Sequence, residues 1–304
     1  FLLDWNVLPS EDRALLLSCG VLLSGHRGPL QQQLLAASDH PVIAPLVPSL
    51  ESSQFDPIPL TPVNLVNFNG TGGFTPDGRE YVVELGSRIR TPAPWANVIA
   101  NETFGTVVTE SGLGFTWHGN SQTNRLTPWH NDPVCDPQSD AIYVRDEQTA
   151  RMFSPTPLPL RDSSPYRIRH GQGYTRYEHN REGIAQELTV FVPRADTVKI
   201  SRLRLRNDSK RARLFSVTAF VDWVLGTIRE QQQVHISTAY DSTSSAVMAQ
   251  QTWSGAFAGN VAFLASVPAA ASYCGNRISF FGRDGSPEHP DSLNQAHLDN
   301  QCGS

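Results

Sequence analysis

Leu214-Phe215-Ser216-Val217-Thr218-Ala219-Phe220-Val221-Asp222-Trp223-Val224-Leu225 is the stretch that decides the fold class of this 304-residue chain. Phe215, Val217, Ala219, Val221, Trp223 and Leu225 share one parity, while Ser216, Thr218 and Asp222 share the other. Successive side chains of an extended backbone point to opposite faces, so this period of two predicts a strand with an apolar face. Its length is about twice that of an ordinary strand, which predicts a large curved sheet.

Working outward, residues 81–85, 105–109, 114–117, 141–145, 246–250 and 261–267 also read as short strands between Gly, Pro, Asn and Asp. Leu188, Val190 and Val192 alternate, with Phe191 apolar on the other face. Val198 and Ile200 share one parity and Leu203 and Leu205 the other, a slip that predicts a β-bulge near Ser201 or Arg202. Many short strands with turn residues between them argue for a sandwich. The start of the chain differs. Ser10, Glu11 and Asp12 open a helix whose apolar stripe is Leu15, Leu16, Leu17, Val21 and Leu22 and whose stop is Gly25. A second helix is expected over 29–35, followed by a Pro-rich stretch over 39–62. The expected division is a helical segment and linker over 1–62, a sandwich over 63–283 and a polar connector over 284–304.

Composition narrows the function. Hydrophobic residues at 39% and charged residues at 17% describe a soluble globular protein. A net charge of −5 gives no electrostatic case for a nucleic-acid partner. Arg202, Arg204 and Arg206 alternate with Leu203 and Leu205 and read as a solvated strand face. Cys19, Cys135, Cys274 and Cys302 are scattered without a CxxC pair, which reads as reduced thiols in a cytoplasmic setting. No His-x-x-x-His pair or Gly-x-Ser-x-Gly elbow is present, so neither a zinc site nor a hydrolase nucleophile has an anchor. Asn69-Gly70-Thr71-Gly72-Gly73-Phe74 lacks the Lys of a phosphate loop and runs into Thr75-Pro76-Asp77-Gly78, a turn.

Trp95, Trp117 and Trp129 sit in or beside loops rich in Asn, Thr and Asp, a mixture that suits the apolar faces and hydroxyls of a sugar. Closure of the sandwich ends by the same indoles is the competing reading. Asn131 and Asp132 fall in the densest polar loop. Asp132 with Asp136 reads either as a carboxylate pair or as turn chemistry before Pro133 and Pro137. In Arg169-His170-Gly171-Gln172-Gly173-Tyr174, two glycines free the backbone to project the Gln172 amide, which both donates and accepts. The competing reading has His170 and Tyr174 satisfying loop carbonyls.

Five motifs in order carry a family resemblance: Trp95-Ala96-Asn97-Val98-Ile99-Ala100-Asn101; Glu110-Ser111-Gly112-Leu113-Gly114-Phe115-Thr116-Trp117; Arg125-Leu126-Thr127-Pro128-Trp129-His130-Asn131-Asp132-Pro133; the stretch from Arg169 to Thr175; and Asp222-Trp223-Val224-Leu225-Gly226. Over roughly residues 67–283 they resemble the amino-terminal β-sandwich of family 94 glycoside phosphorylases, in the version carried by cyclic β-1,2-glucan synthases. The resemblance implies an all-β fold, a large antiparallel two-sheet supersandwich related to galactose mutarotase. It implies an (α/α)6 barrel after the sandwich that supplies the general-acid Asp, and inverting attack with inorganic phosphate as a co-substrate in the phosphorylases. No other cofactor is implied.

Also implied are a homodimer, a β-glucan oligosaccharide as ligand and a parent enzyme at the inner membrane with this region on the cytoplasmic side. Under it, Arg169, His170, Gln172, Tyr174, Trp117, Trp129, Asn131 and Asp132 are candidate substrate contacts, and none is catalytic. A stand-alone carbohydrate-binding protein is the first alternative. A mutarotase-like enzyme using His170 with Glu178 is the second.

Overall fold

The computed structural model describes residues 9–19, 29, 31, 59–86, 89–130, 138–253, 255–283 and 285–303. The chain divides into two units, Phe1–Leu50 and Glu51–Ser304. In the first, helix α1 spans Ser10–Cys19 with Glu11 and Asp12 in its first turn, where the positive end of the dipole favours carboxylates. The Arg13 N–H bonds to the Pro9 carbonyl at 3.1 Å. The expected stop at Gly25, the helix over 29–35 and the Pro-rich stretch up to residue 58 fall outside the described residues, apart from the isolated positions 29 and 31.

The second unit is built of strands. In chain order these are β1 (Gly72–Phe74), β2 (Glu80–Leu85), β3 (Ala96–Ala100), β4 (Phe104–Thr109) and β5 (Gly114–His118). Next come β6 (Asp140–Asp146), β7 (Met152–Phe153), β8 (Tyr166–Gly171), β9 (Tyr174–Arg181) and β10 (Ile184–Phe191). Last are β11 (Ile200–Asn207), β12 (Phe215–Val221), β13 (Ile236–Asp241), β14 (Ala246–Gln251) and β15 (Val261–Ala265). A six-stranded sheet runs β1-β2-β8-β9-β10-β11, and three-stranded sheets run β3-β4-β5, β12-β6-β7 and β13-β14-β15. Every pairing between these strands is antiparallel.

The architecture is the expected all-β supersandwich, with its hydrogen bonding split over several sheets. Val83, Leu85, Tyr166, Ile168, Tyr177, Leu188 and Val190 line the inner face of the large sheet. They pack against Ile99 and Val108 of the β3-β4-β5 sheet and Ile142 of β6, so these two small sheets form the opposing layer. Gln138 and Ser139 join them by donating to the Gly112 and Gly114 carbonyls. The Tyr177 hydroxyl crosses the core to the Thr109 carbonyl at 2.6 Å. On the far side of β6, Ala141, Tyr143 and Phe220 pack against Phe280, Phe281 and Leu293.

Two expectations are corrected. The long strand over 214–225 is β12 alone, and the chain leaves extended pairing after Val221. Phe220, which the period of two put on the polar face, is buried, while Val217 is 52% exposed. The reason is that β12 has apolar neighbours on both faces and lies at a sheet edge. Val217 pairs with the fully buried Val144 on the inner face, but the sandwich is open beside it. The bulge near Ser201 is also absent: β11 pairs with β10 in unbroken register from Ile200↔Phe191 to Asn207↔Ile184. Val198 precedes β11, and Ile200 lies on its outer face opposite Phe191, so the slip in parity marks a change of apolar face within a regular strand. Residues 285–303 return to the core, with the Tyr143 hydroxyl on the Pro287 carbonyl at 2.8 Å and Leu293 buried.

Candidate functional site

The segment read as a loop around Gln172 is a tight β-hairpin. β8 and β9 pair from Tyr166↔His179 to Gly171↔Tyr174, leaving Gln172 and Gly173 as the turn. Gly173 has φ 85°, a conformation that glycine adopts without strain. A Cβ on Gly171 would lie 2.4 Å from the Tyr174 ring, so glycine there lets the tyrosine lie across the backbone. Gln172 is exposed at the tip. The tip is pinned from the opposite layer by Asn97 of β3, whose Nδ2 donates to the Gly171 carbonyl at 3.0 Å, the Tyr174 carbonyl at 2.9 Å and Thr175 Oγ1 at 3.1 Å.

Arg169 and Tyr174 are occupied on the outer face. Arg169 donates to Glu178 at 2.8 Å and to Glu80 at 2.9 Å, and the Tyr174 hydroxyl also donates to Glu80. Burial, reinforced by the Glu80 carboxylate, raises the Tyr174 phenol above its ordinary range. The Arg176 guanidinium stands 5.7 Å over the Tyr174 ring. His170 points the other way. Its Nδ1 lies 3.0 Å from Thr175 Oγ1, Nε2 has no hydrogen-bond partner among the described residues, and burial holds its pKa down at about 4. Of the two residues that the local reading set against loop carbonyls, His170 faces the Trp95 carbonyl just before β3, whereas the Tyr174 hydroxyl goes to Glu80 instead. Tyr81 is the cross-strand neighbour of His170. Its ring meets Trp95 edge-on at 5.7 Å and Phe74 at 4.9 Å, forming an aromatic wall beside the imidazole.

His170 and Glu178 do not form an acid–base pair. In β9 the parity of His170's neighbour Thr175 puts Tyr177 on the inner face and Glu178 on the outer. Glu178 is bound by Arg169 at 2.8 Å and Arg167 at 3.6 Å. That arrangement removes the proposed proton-transfer couple.

Trp117 and Trp129 form a second cluster. Phe115 lies 5.3 Å from each ring, and the Arg125 guanidinium stands 5.3 Å over Phe115. Arg125 also donates to the Trp129 carbonyl at 3.2 Å and the Ser121 carbonyl at 3.0 Å. A Cβ on Gly105 would sit 2.3 Å from the Trp117 ring, so this glycine makes room for the indole. Both tryptophans are half-buried closures of the β4–β5 end. Asn131, Asp132 and Asp136 lie outside the described residues.

The two clusters are separate. Asn97 pairs with Val108, which pairs with Gly114 at one end of the β3-β4-β5 sheet. Ala100 pairs with Gly105, which pairs with Trp117 at the other end. The structure thus gathers Arg169, His170, Gln172 and Tyr174 at one place and Trp117 and Trp129 at another. Sequence reasoning missed Glu80, Tyr81 and the clamping role of Asn97. Only Asn97 had a signal, its place in the Trp95–Asn101 motif. Among the described residues no group of His, Cys, Asp and Glu is placed to hold a metal, and Cys274 and Cys302 are free thiols.

Comparison with known families agrees with this arrangement of strands and motifs. The profile described as "Glycosyl hydrolase 94, supersandwich domain" matches residues 79–304. The chain belongs to that family. Among relatives of the glycosyl hydrolase 94 supersandwich, cyclic beta-(1,2)-glucan synthase NdvB of Rhizobium meliloti (strain 1021) is 38% identical over 219 residues, covering 72% of this chain and 8% of the synthase. N,N'-diacetylchitobiose phosphorylase of Vibrio proteolyticus is 29% identical over 174 residues, covering 56% of this chain and 21% of that enzyme. Solabiose phosphorylase of Paenibacillus borealis is 32% identical over 159 residues, covering 51% and 20%. The chain therefore spans between about a twelfth and a fifth of the length of these three relatives.

Proposed function

We propose that this chain is the non-catalytic, carbohydrate-associated supersandwich of a larger family 94 enzyme, in which the β8–β9 tip helps to form a β-glucan site. One observation carries this reading: an exposed glutamine amide sits on a turn anchored through three acceptors by Asn97. An amide with free donors and acceptors suits sugar hydroxyls, and the anchored backbone leaves only the Gln172 side chain to be ordered when the ligand arrives. Arg169 and Tyr174 act as positioning residues, because their polar atoms are already engaged by Glu80 and Glu178.

The parent enzyme transfers or phosphorolyses β-glucosyl units with inversion, its acid coming from an (α/α)6 barrel. Inorganic phosphate is co-substrate in the phosphorolytic case. The supersandwich also takes part in a homodimer, on the cytoplasmic side of the membrane. The identity with a protein named as a cyclic glucan synthase supports the synthase branch.

The test is Gln172→Ala in the full-length enzyme. Loss of one buried hydrogen bond to the acceptor sugar lowers kcat/KM for that sugar by about 1–2 kcal/mol, about five- to thirtyfold. The stability of the sandwich stays unchanged. Unaltered acceptor kinetics overturn the role of this amide. Titration of the present chain with β-glucan oligosaccharides separates the alternative: a stand-alone binding protein saturates, whereas an accessory domain binds barely at all.

A further inference from the structure

The sandwich has an open side. β11 pairs only with β10, and β12 only with β6, among the described residues, so each has a free edge. A cleft of 1590 Å³ lies between them, and its walls include Leu203 and Leu205 of β11 and Val217 and Ala219 of β12. Val247 and Leu264 of the β13-β14-β15 sheet extend the apolar lining. The Lys199–Asp140 ion pair borders the same cleft. Next to Leu205 on the inner face, Gln186 is 3% exposed with neither amide atom hydrogen-bonded. Unpaired backbone on two edges, with apolar side chains between them, is the template for adding a strand.

The outer face of β11 specifies what kind of strand fits. Arg202, Arg204 and Arg206 alternate with Leu203 and Leu205. Arg206 has Asp208 at 2.7 Å, Arg202 reaches Glu187 only at 3.8 Å, and Arg204 has no carboxylate within ion-pair distance among the described residues. A second copy of this chain does not suit the edge. Every register of two β11 strands that keeps Leu203 and Leu205 on the inner face and overlaps by more than three residues sets arginine against arginine, and like charges directly opposite are destabilising.

We infer that this cleft seats a further β-strand, an extended segment with alternating apolar and acidic residues that hydrogen-bonds along β11. Its apolar side chains cover Leu203, Leu205, Val217 and Ala219, and its carboxylates meet Arg202 and Arg204. The chemistry of the segment follows from the cleft. Its source, the remaining length of a family 94 polypeptide, rests on the reading of this chain as part of a larger enzyme.

The test uses this chain with two eight-residue peptide probes, one alternating Val with Glu and the other Val with Lys, read by amide hydrogen exchange. The Val/Glu peptide is expected to slow exchange at 200–207 at least tenfold, and the Val/Lys peptide to act at least tenfold more weakly. Leu205→Glu abolishes the protection by the Val/Glu peptide without changing exchange in β8 and β9. Equal action of the two peptides overturns the charge argument. No protection at millimolar peptide overturns the proposal, as does protection of the same amides by self-association of the chain. These readouts are independent of the Gln172 kinetics, so failure of one leaves the other standing.

Discussion

Replacing the Asn97 amide tests whether the β8–β9 tip is held from the opposite layer. Asn97 Nδ2 carries two hydrogens and shares them among the Gly171 carbonyl, the Tyr174 carbonyl and Thr175 Oγ1, at 2.9–3.1 Å. A typical hydrogen bond contributes about 0.5–1.5 kcal/mol net, so Asn97→Ala is expected to cost about 1–3 kcal/mol. Asn97→Asp costs more near neutral pH, because carboxylate oxygens then face the same two carbonyls with no donor between them. The introduced carboxyl is charged unfavourably in the folded state, so its pKa there is raised above the unfolded value. The extra loss is therefore present above that raised pKa and is relieved as pH falls through it, when protonation restores one donor. Urea unfolding followed by tryptophan fluorescence measures the stability, and hydrogen exchange at 172–174 reports on the tip. If Asn97→Asp stays within about 0.5 kcal/mol of the native chain at pH 7, with exchange at the tip unchanged, the clamp has no energetic content.

Three further outcomes are expected. Arg213 and Asp146 form an ion pair with both side chains 1% exposed, so Arg213→Leu strands a buried carboxylate and costs about 3–5 kcal/mol. Burial opposes ionisation of Asp146, but Arg213 and the Gln148 and Thr149 N–H groups outweigh it and keep its pKa below the ordinary value. The native chain thus gains stability above the unfolded aspartate pKa and loses it as pH falls through the folded one. In Arg213→Leu this slope reverses, and denaturation curves at pH 3–7 check it. His170, held down to about pKa 4 by burial, stays neutral at pH 7, so its share of stability is full above about 6.5 and is lost towards 4. An imidazole NMR titration midpoint above 6 refutes that environment. Gly114→Ala, at φ 148° with its new Cβ 1.9 Å from the Val107 carbonyl oxygen, is expected to destabilise the β4–β5 hairpin, read as a lowered melting temperature.

How much of this was legible in the sequence depended on which interactions fix each element. Alternation of Val83 and Leu85, or of Leu188 and Val190, is a local signal of a strand with a buried face, and the all-β class followed from many such runs. β8 and β9 escaped because Arg167, Arg169, Arg176 and Glu178 make them look polar, whereas Arg167 and Arg169 are held in cross-strand ion pairs with Glu84, Glu80 and Glu178, and Arg176 lies over the Tyr174 ring. Phe220 was assigned to the wrong environment because its burial depends on Phe280 and Phe281, some sixty residues later. The Gln172 tip was found from its two glycines. The partners that hold it, Asn97 and Glu80, come from strands remote in sequence, and spacing alone carries no such information.

The return of the chain through 285–303 fixes where a cut is tolerated. Leu293 caps the Phe280–Phe281 pair, Pro287 supplies the acceptor for Tyr143, and the Gly303 carbonyl accepts the Thr238 N–H of β13 at 2.9 Å. Severing the polypeptide after Arg283 would strip a lid from an aromatic nest and leave a buried phenol without its acceptor. The segment 285–303 is therefore a poor place for a fusion junction or protease site, although the last regular strand closes almost forty residues before Gly303, at Ala265.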